Sequence, residues 1–148
     1  MSTHLLAVDA VSSPNAPFIG LGIVVFDADG NQSAKHAIAP GHSRRSATVA
    51  GIAVALDEAA PALKAGDHIE ILTVVEARDL LGDIDGRDPM MAQSAELLEQ
   101  ALQEIVNRGV AIALSRGDSA ESKSLSEATR QAALGLLVAS QATTAAMA

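Results

Sequence analysis

Asp9 closes the apolar run Leu5 to Val8, and Glu76 closes the run that starts at His68. Carboxylates at the carboxyl ends of buried strands lie where α/β folds place their ligands. The plainer roles are a hydrogen bond that starts a loop at Asp9 and, at Glu76, an acid at a helix start, favourable with the helix dipole. Glu127 ends Ser124-Leu125-Ser126-Glu127, a capping box that opens a last helix. His42, Arg44 and Arg45 form the basic stretch GHSRR. It is either a solvated loop or a phosphate contact helped by the N-terminus of a helix starting at Ser46. Arg116 and Lys123 would add to such a surface.

Other chemistries fall away. Gly20-Leu21-Gly22 opens a strand rather than a helix, so it is not a phosphate loop. Asp83, Asp85 and Asp88 lack the terminal Glu of a calcium loop. Asp27 and Asp29 are turn formers. The chain has no cysteine, which excludes disulfides, Fe–S clusters and Cys-based zinc sites, and its four histidines lack ligand spacing. The 148 residues carry a net charge of −8, which argues against nucleic-acid binding by bulk charge alone. That excess is local. Residues 65–104 hold ten acids against two bases, and the rest of the chain is neutral in sum. No apolar run approaches the ~20 residues of a membrane span. The N-terminus lacks the basic region of a signal peptide. A cytoplasmic location is expected, and a homodimer is expected from base rates alone.

Several elements must position these residues. Leu5 to Val8 predicts a strand. Phe18 to Phe26 predicts a second, turning at Asp27-Ala28-Asp29-Gly30-Asn31 into a third over Ser33 to Ala39. Val49, Ala50, Ala53, Leu56 and Ala60 share a face, predicting a helix over Ser46 to Leu63. His68 to Val75 predicts a strand buried on both faces. A short helix over Arg78 to Leu81 and an acidic loop over Gly82 to Pro89 follow. A second long helix spans Ala92 to Arg108, its buried stripe comprising Leu97, Leu98, Ala101, Leu102, Ile105 and Val106. Val110 to Leu114 predicts a fifth strand, and the last helix reaches about Val138. Residues 1–148 read as a single domain, with a frayed tail over 140–148. The order β-β-β-α-β-α-β-α predicts an α/β fold: a mixed five-stranded sheet with helices on both faces.

In order and wording the chain resembles the ribonuclease H-like (ribonuclease HI) family. LLAVDA resembles its opening strand with a metal-binding Asp. GLGIVVFDADG resembles the second strand and turn, SATVAGIAVALDEA the first helix, and HIEILTVVEARDLL the strand ending in the family's next Asp. SRGDSAESKSLSEATRQAA resembles the mobile loop and final helix. The resemblance implies metal-dependent hydrolysis of phosphodiesters, most like cleavage of the RNA strand of an RNA/DNA hybrid. It implies Asp9, Glu76 and Glu127 as catalytic and metal ligands for Mg²⁺ or Mn²⁺. Two such ions would hold the attacking water and the leaving oxygen in line. The departures are specific. Thr48 stands where the family has a metal-binding Glu, Ala77 takes the place of a Ser, and the loop has no His. A degenerate active site follows, and with it an alternative: a catalytically inactive binding or assembly module. A third reading is an α/β protein whose likeness is only topological.

Overall fold

A computed structural model describes residues 2–13, 18–27, 29–41, 43–73, 90–116 and 123–147. Glu76, the segment 78–89 and His42 lie outside the described residues. Strands β1 (Thr3–Val11), β2 (Phe18–Phe26) and β3 (Gln32–Pro40) lead into α1 (Arg44–Ala59) and a 3₁₀ turn (Ala60–Ala62). Then come β4 (His68–Thr73), α2 (Met91–Asn107), β5 (Ala111–Arg116) and α3 (Lys123–Met147). The five strands form one sheet in the order β3-β2-β1-β4-β5. The meander β1–β2–β3 is antiparallel and β1–β4–β5 is parallel, as the element order predicts.

β1 is central and longer than expected. Its ladder with β2 runs from Leu5 to Val11, and its ladder with β4 from Thr3 to Val8. Asp9 is therefore not at a strand end. It sits inside β1, paired with Gly22, one residue beyond the last described β1–β4 pair, Val8 with Thr73.

Alternation along β1 separates two faces. Leu6, Val8 and Ala10 join Leu21, Ile23, Ile69 and Ile71 in a core shared with α1 and α2. Ala7 and Val24 face the other way and meet Leu125 and Ala128 of α3. Asp9 shares parity with Ala7, so its side chain belongs to the α3 layer. That layer is built from small residues and closes tightly. A Cβ at Gly22 would meet the carbonyl oxygen of Ala128 and stand 2.6 Å from the amide of Ala132. Glycine at 22 lets the α3 backbone rest directly on β2, beside Asp9.

Three boundaries depart from expectation. α1 starts at Arg44, not Ser46. The Ser43 hydroxyl accepts the Ser46 amide at 3.1 Å, and the Ser46 hydroxyl accepts the Ser43 amide at 3.0 Å. Ser43 is thus the N-cap, and Arg44 and Arg45 belong to the first turn of the helix, not to a loop. At its other end α1 stops at Ala59, because Pro61 cannot continue it and a 3₁₀ turn follows. α3, expected to reach about Val138, runs to Met147. The stretch after Gly135 holds no breaker and is rich in alanine, the strongest helix former. On α2 the buried stripe is narrower than expected. Met91, Ser94, Leu98, Ala101 and Ile105 are buried, whereas Leu97 and Val106 fall on the flanks and are exposed.

The opposite end of the sheet is tied by Asp67. It accepts the amides of Lys64 at 2.9 Å and Ser2 at 3.2 Å, and its other partner is His4 Nε2 at 3.3 Å. The Lys64 amide, above all, holds this carboxyl below its ordinary range.

Candidate functional site

Asp9 is only 3% exposed. A buried carboxylate needs partners that replace its lost hydration, and three elements supply them. Within β1, Oδ1 accepts the amide of Ala10 at 2.9 Å. From α3, the hydroxyl of Thr129 donates to Oδ2 at 2.7 Å. From α1, the guanidinium of Arg44 brings Nη2 to 3.8 Å from Oδ1. Arg44 is itself anchored, since Nε donates to the carbonyl of Ala10 at 2.8 Å. One guanidinium thus binds the backbone beside Asp9 and faces its charge.

The Thr129 hydroxyl has a second acceptor, the carbonyl of Leu125 one turn back at 2.9 Å. Its single proton is shared between the two acceptors, and the Asp9 oxygen is the nearer. Thr129 reaches Asp9 because Leu125, Ala128 and Ala132 are buried on the sheet, and position 129 lies one turn after Leu125 on that stripe.

The other sequence candidates are placed elsewhere. Thr48 is buried, and its hydroxyl donates to the carbonyl of Arg44 at 2.7 Å, a bond inside its own helix. α3 already starts at Lys123, so Ser124 lies inside it rather than before it. Glu127 accepts Arg130 Nη2 at 2.7 Å and Nε at 2.9 Å, and Gln131 Nε2 at 3.1 Å. The bidentate Arg130 contact, with Gln131 second, lowers its pKa to about 2. Glu127 is thus an ionised partner of its own helix, two residues before the position that meets Asp9. Arg44, read from the sequence as a phosphate contact, is in addition the cation of Asp9. Arg45 follows it in the first turn of α1.

Two Mg²⁺ or Mn²⁺ ions require several oxygen ligands converging on one point. Among the described residues, no group of three or more Asp, Glu or His is placed to hold a metal ion. Among the described residues, the partners of Asp9 are a cation, a hydroxyl already donating and an amide. These described partners fit a carboxylate facing a cation better than they fit a metal centre.

Sequence reasoning missed Thr129 and the pairing of Arg44 with Asp9. The signal for Thr129 was present in the spacing of Leu125, Ala128 and Ala132, which fixes the face of α3 that meets the sheet.

Neither a family model nor a curated protein matches the sequence. Solved structures do. The N-terminal RNase H domain of Rv2228c from Mycobacterium tuberculosis superposes with a TM-score of 0.72 at 17% identity, covering 97% of this chain and 99% of that one. RNase H1 from the halophilic archaeon Halobacterium salinarum gives 0.69 at 19% identity, covering 90% and 97%. LC11-RNase H1, solved in complex with an RNA/DNA hybrid, gives 0.67 at 14% identity, covering 92% and 98%. With coverage this complete on both sides and the same mixed sheet, the chain has the ribonuclease H-like fold.

Proposed function

We propose that this chain binds a nucleic-acid duplex, an RNA/DNA hybrid first among candidates, at the end of the sheet where Asp9, Arg44 and Thr129 meet, and does not hydrolyse it. The observation that carries the reading is the partner set of Asp9 among the described residues, a guanidinium and a hydroxyl where a two-metal mechanism needs further carboxylates. Duplex binding is supported by the likeness to a structure solved with an RNA/DNA hybrid. It is also supported by two arginines in the first turn of α1, where the helix dipole favours a phosphate.

The second reading is metal-dependent cleavage of the hybrid, with Asp9, Glu76 and Glu127 holding Mg²⁺ or Mn²⁺. Buried Asp9 near the end of the central strand favours it. The Glu127 contacts to Arg130 and Gln131 count against it.

Fluorescence anisotropy with labelled RNA/DNA hybrid, duplex RNA and duplex DNA of one sequence tests the first reading. Saturable binding of the hybrid in EDTA, weakening steeply with salt, is the expected result. No binding of any duplex at low salt would overturn it.

A further inference from the structure

The disagreement between the donor set and a divalent ion has a structural cause, and it lies in Arg44. We propose that Arg44 is a built-in counter-ion. It takes over the neutralisation of Asp9 that a divalent cation would supply, and so makes the site independent of metal.

Three observations converge on this. Asp9 is a carboxylate buried in the α3 layer, and Arg44 Nη2 stands beside it at 3.8 Å. The guanidinium is anchored there, because Nε is bonded to the carbonyl of Ala10 at 2.8 Å. The remaining carboxylate oxygen, Oδ2, is taken by Thr129. An ion bound to Oδ1 at the usual ~2.1 Å would lie within about 6 Å of the guanidinium. Two like charges at that distance and in partial burial repel, so the arginine and the ion compete for one carboxylate.

Among the described residues, one guanidinium faces one carboxylate at this site. The Arg44 side chain is nevertheless 54% exposed. Its outer face is accessible to a phosphodiester oxygen, with Arg45 next in the same turn. This last step rests on the duplex-binding reading above, whereas the counter-ion role does not.

Melting of the protein alone separates the two. Wild type should melt at the same temperature in EDTA and in millimolar Mn²⁺ at matched ionic strength. Arg44→Gln should melt about 3 °C lower in EDTA and regain part of that loss with Mn²⁺. Adding Asp9→Asn to it should abolish the Mn²⁺ response. Arg44→Lys, which keeps the charge, should stay insensitive to Mn²⁺. A Mn²⁺-dependent rise in wild type that Asp9→Asn removes would overturn the proposal, and so would Arg44→Gln without any Mn²⁺ response. With hybrid present, wild-type affinity should be no higher in Mg²⁺ than in EDTA at matched ionic strength. Arg44→Gln should bind about fivefold more weakly, with a salt slope reduced by about one. Affinity that rises with Mg²⁺ in wild type would contradict the proposal. If wild type binds no hybrid at all, the duplex reading fails while the melting series still decides the role of Arg44.

Discussion

Replacing Gly22 with alanine should lower the melting temperature by about 10 °C, a loss of roughly 3 kcal/mol. One methyl group is the smallest side chain that can be added, yet the atoms it meets are backbone. The Cβ would press on the Ala128 carbonyl and stand 2.6 Å from the Ala132 amide. No rotamer change relieves a clash with a helix backbone, so α3 must lift from β2. A lifted α3 also withdraws Thr129 from Asp9, since both contacts come from the same turn of helix. The loss should therefore appear twice, in thermal melting and in faster amide exchange along α3. A larger side chain placed where space exists makes the control. Gly66 has a positive φ of 90° but nothing within 4 Å of an added Cβ, so Gly66→Asn, which tolerates that backbone, should cost much less.

Thr129→Asp should have the second large effect, with a sign that depends on cation. The Thr129 hydroxyl lies 2.7 Å from Asp9 Oδ2 and donates to it. A carboxylate at 129 removes that donor and brings a second negative charge to a buried one. Two carboxylates this close cannot both ionise freely, and one is pushed to a higher pKa. With a single arginine to compensate, the variant should lose about 3 kcal/mol in EDTA at neutral pH. Mn²⁺ should return much of it, because the added oxygens make a ligand pair that wild type lacks. Chemical denaturation in EDTA and in Mn²⁺ checks both halves. Stability unchanged in EDTA would show that the 129 side chain does not meet Asp9.

Much of the architecture was legible because strong local signals agreed with one another. Phe18 to Phe26 reads as a strand from its β-branched content and its turn, and it is β2 from first residue to last. Asp9 was legible as a candidate from the apolar run before it. Its position inside the strand was not, since a ladder on each side lengthens β1 in a way its own residues do not announce. The partners of Asp9 were less legible for a different reason. A site residue on a helix is chosen by rotational phase. Glu127 and Thr129 are two residues apart, and on a helix that turns them to different faces. Chemical type favoured the Glu, whereas the packing of Leu125, Ala128 and Ala132 selects the Thr. The sequence places Arg44 in a loop because Ser46 reads as the helix start. The Ser43–Ser46 capping pair moves that start back, and the first helical turn swings Arg44 onto Ala10 and Asp9.

Cleavage of an end-labelled RNA/DNA hybrid tests the central claim most directly. Wild type and Asp9→Asn would be incubated with the hybrid in Mg²⁺, in Mn²⁺ and in EDTA, at protein concentrations that saturate binding. The expected result is bound, intact RNA in every lane, with wild type and Asp9→Asn alike. RNA cut by wild type only when Mg²⁺ or Mn²⁺ is present, and spared by Asp9→Asn, would contradict it and restore the metal-dependent nuclease.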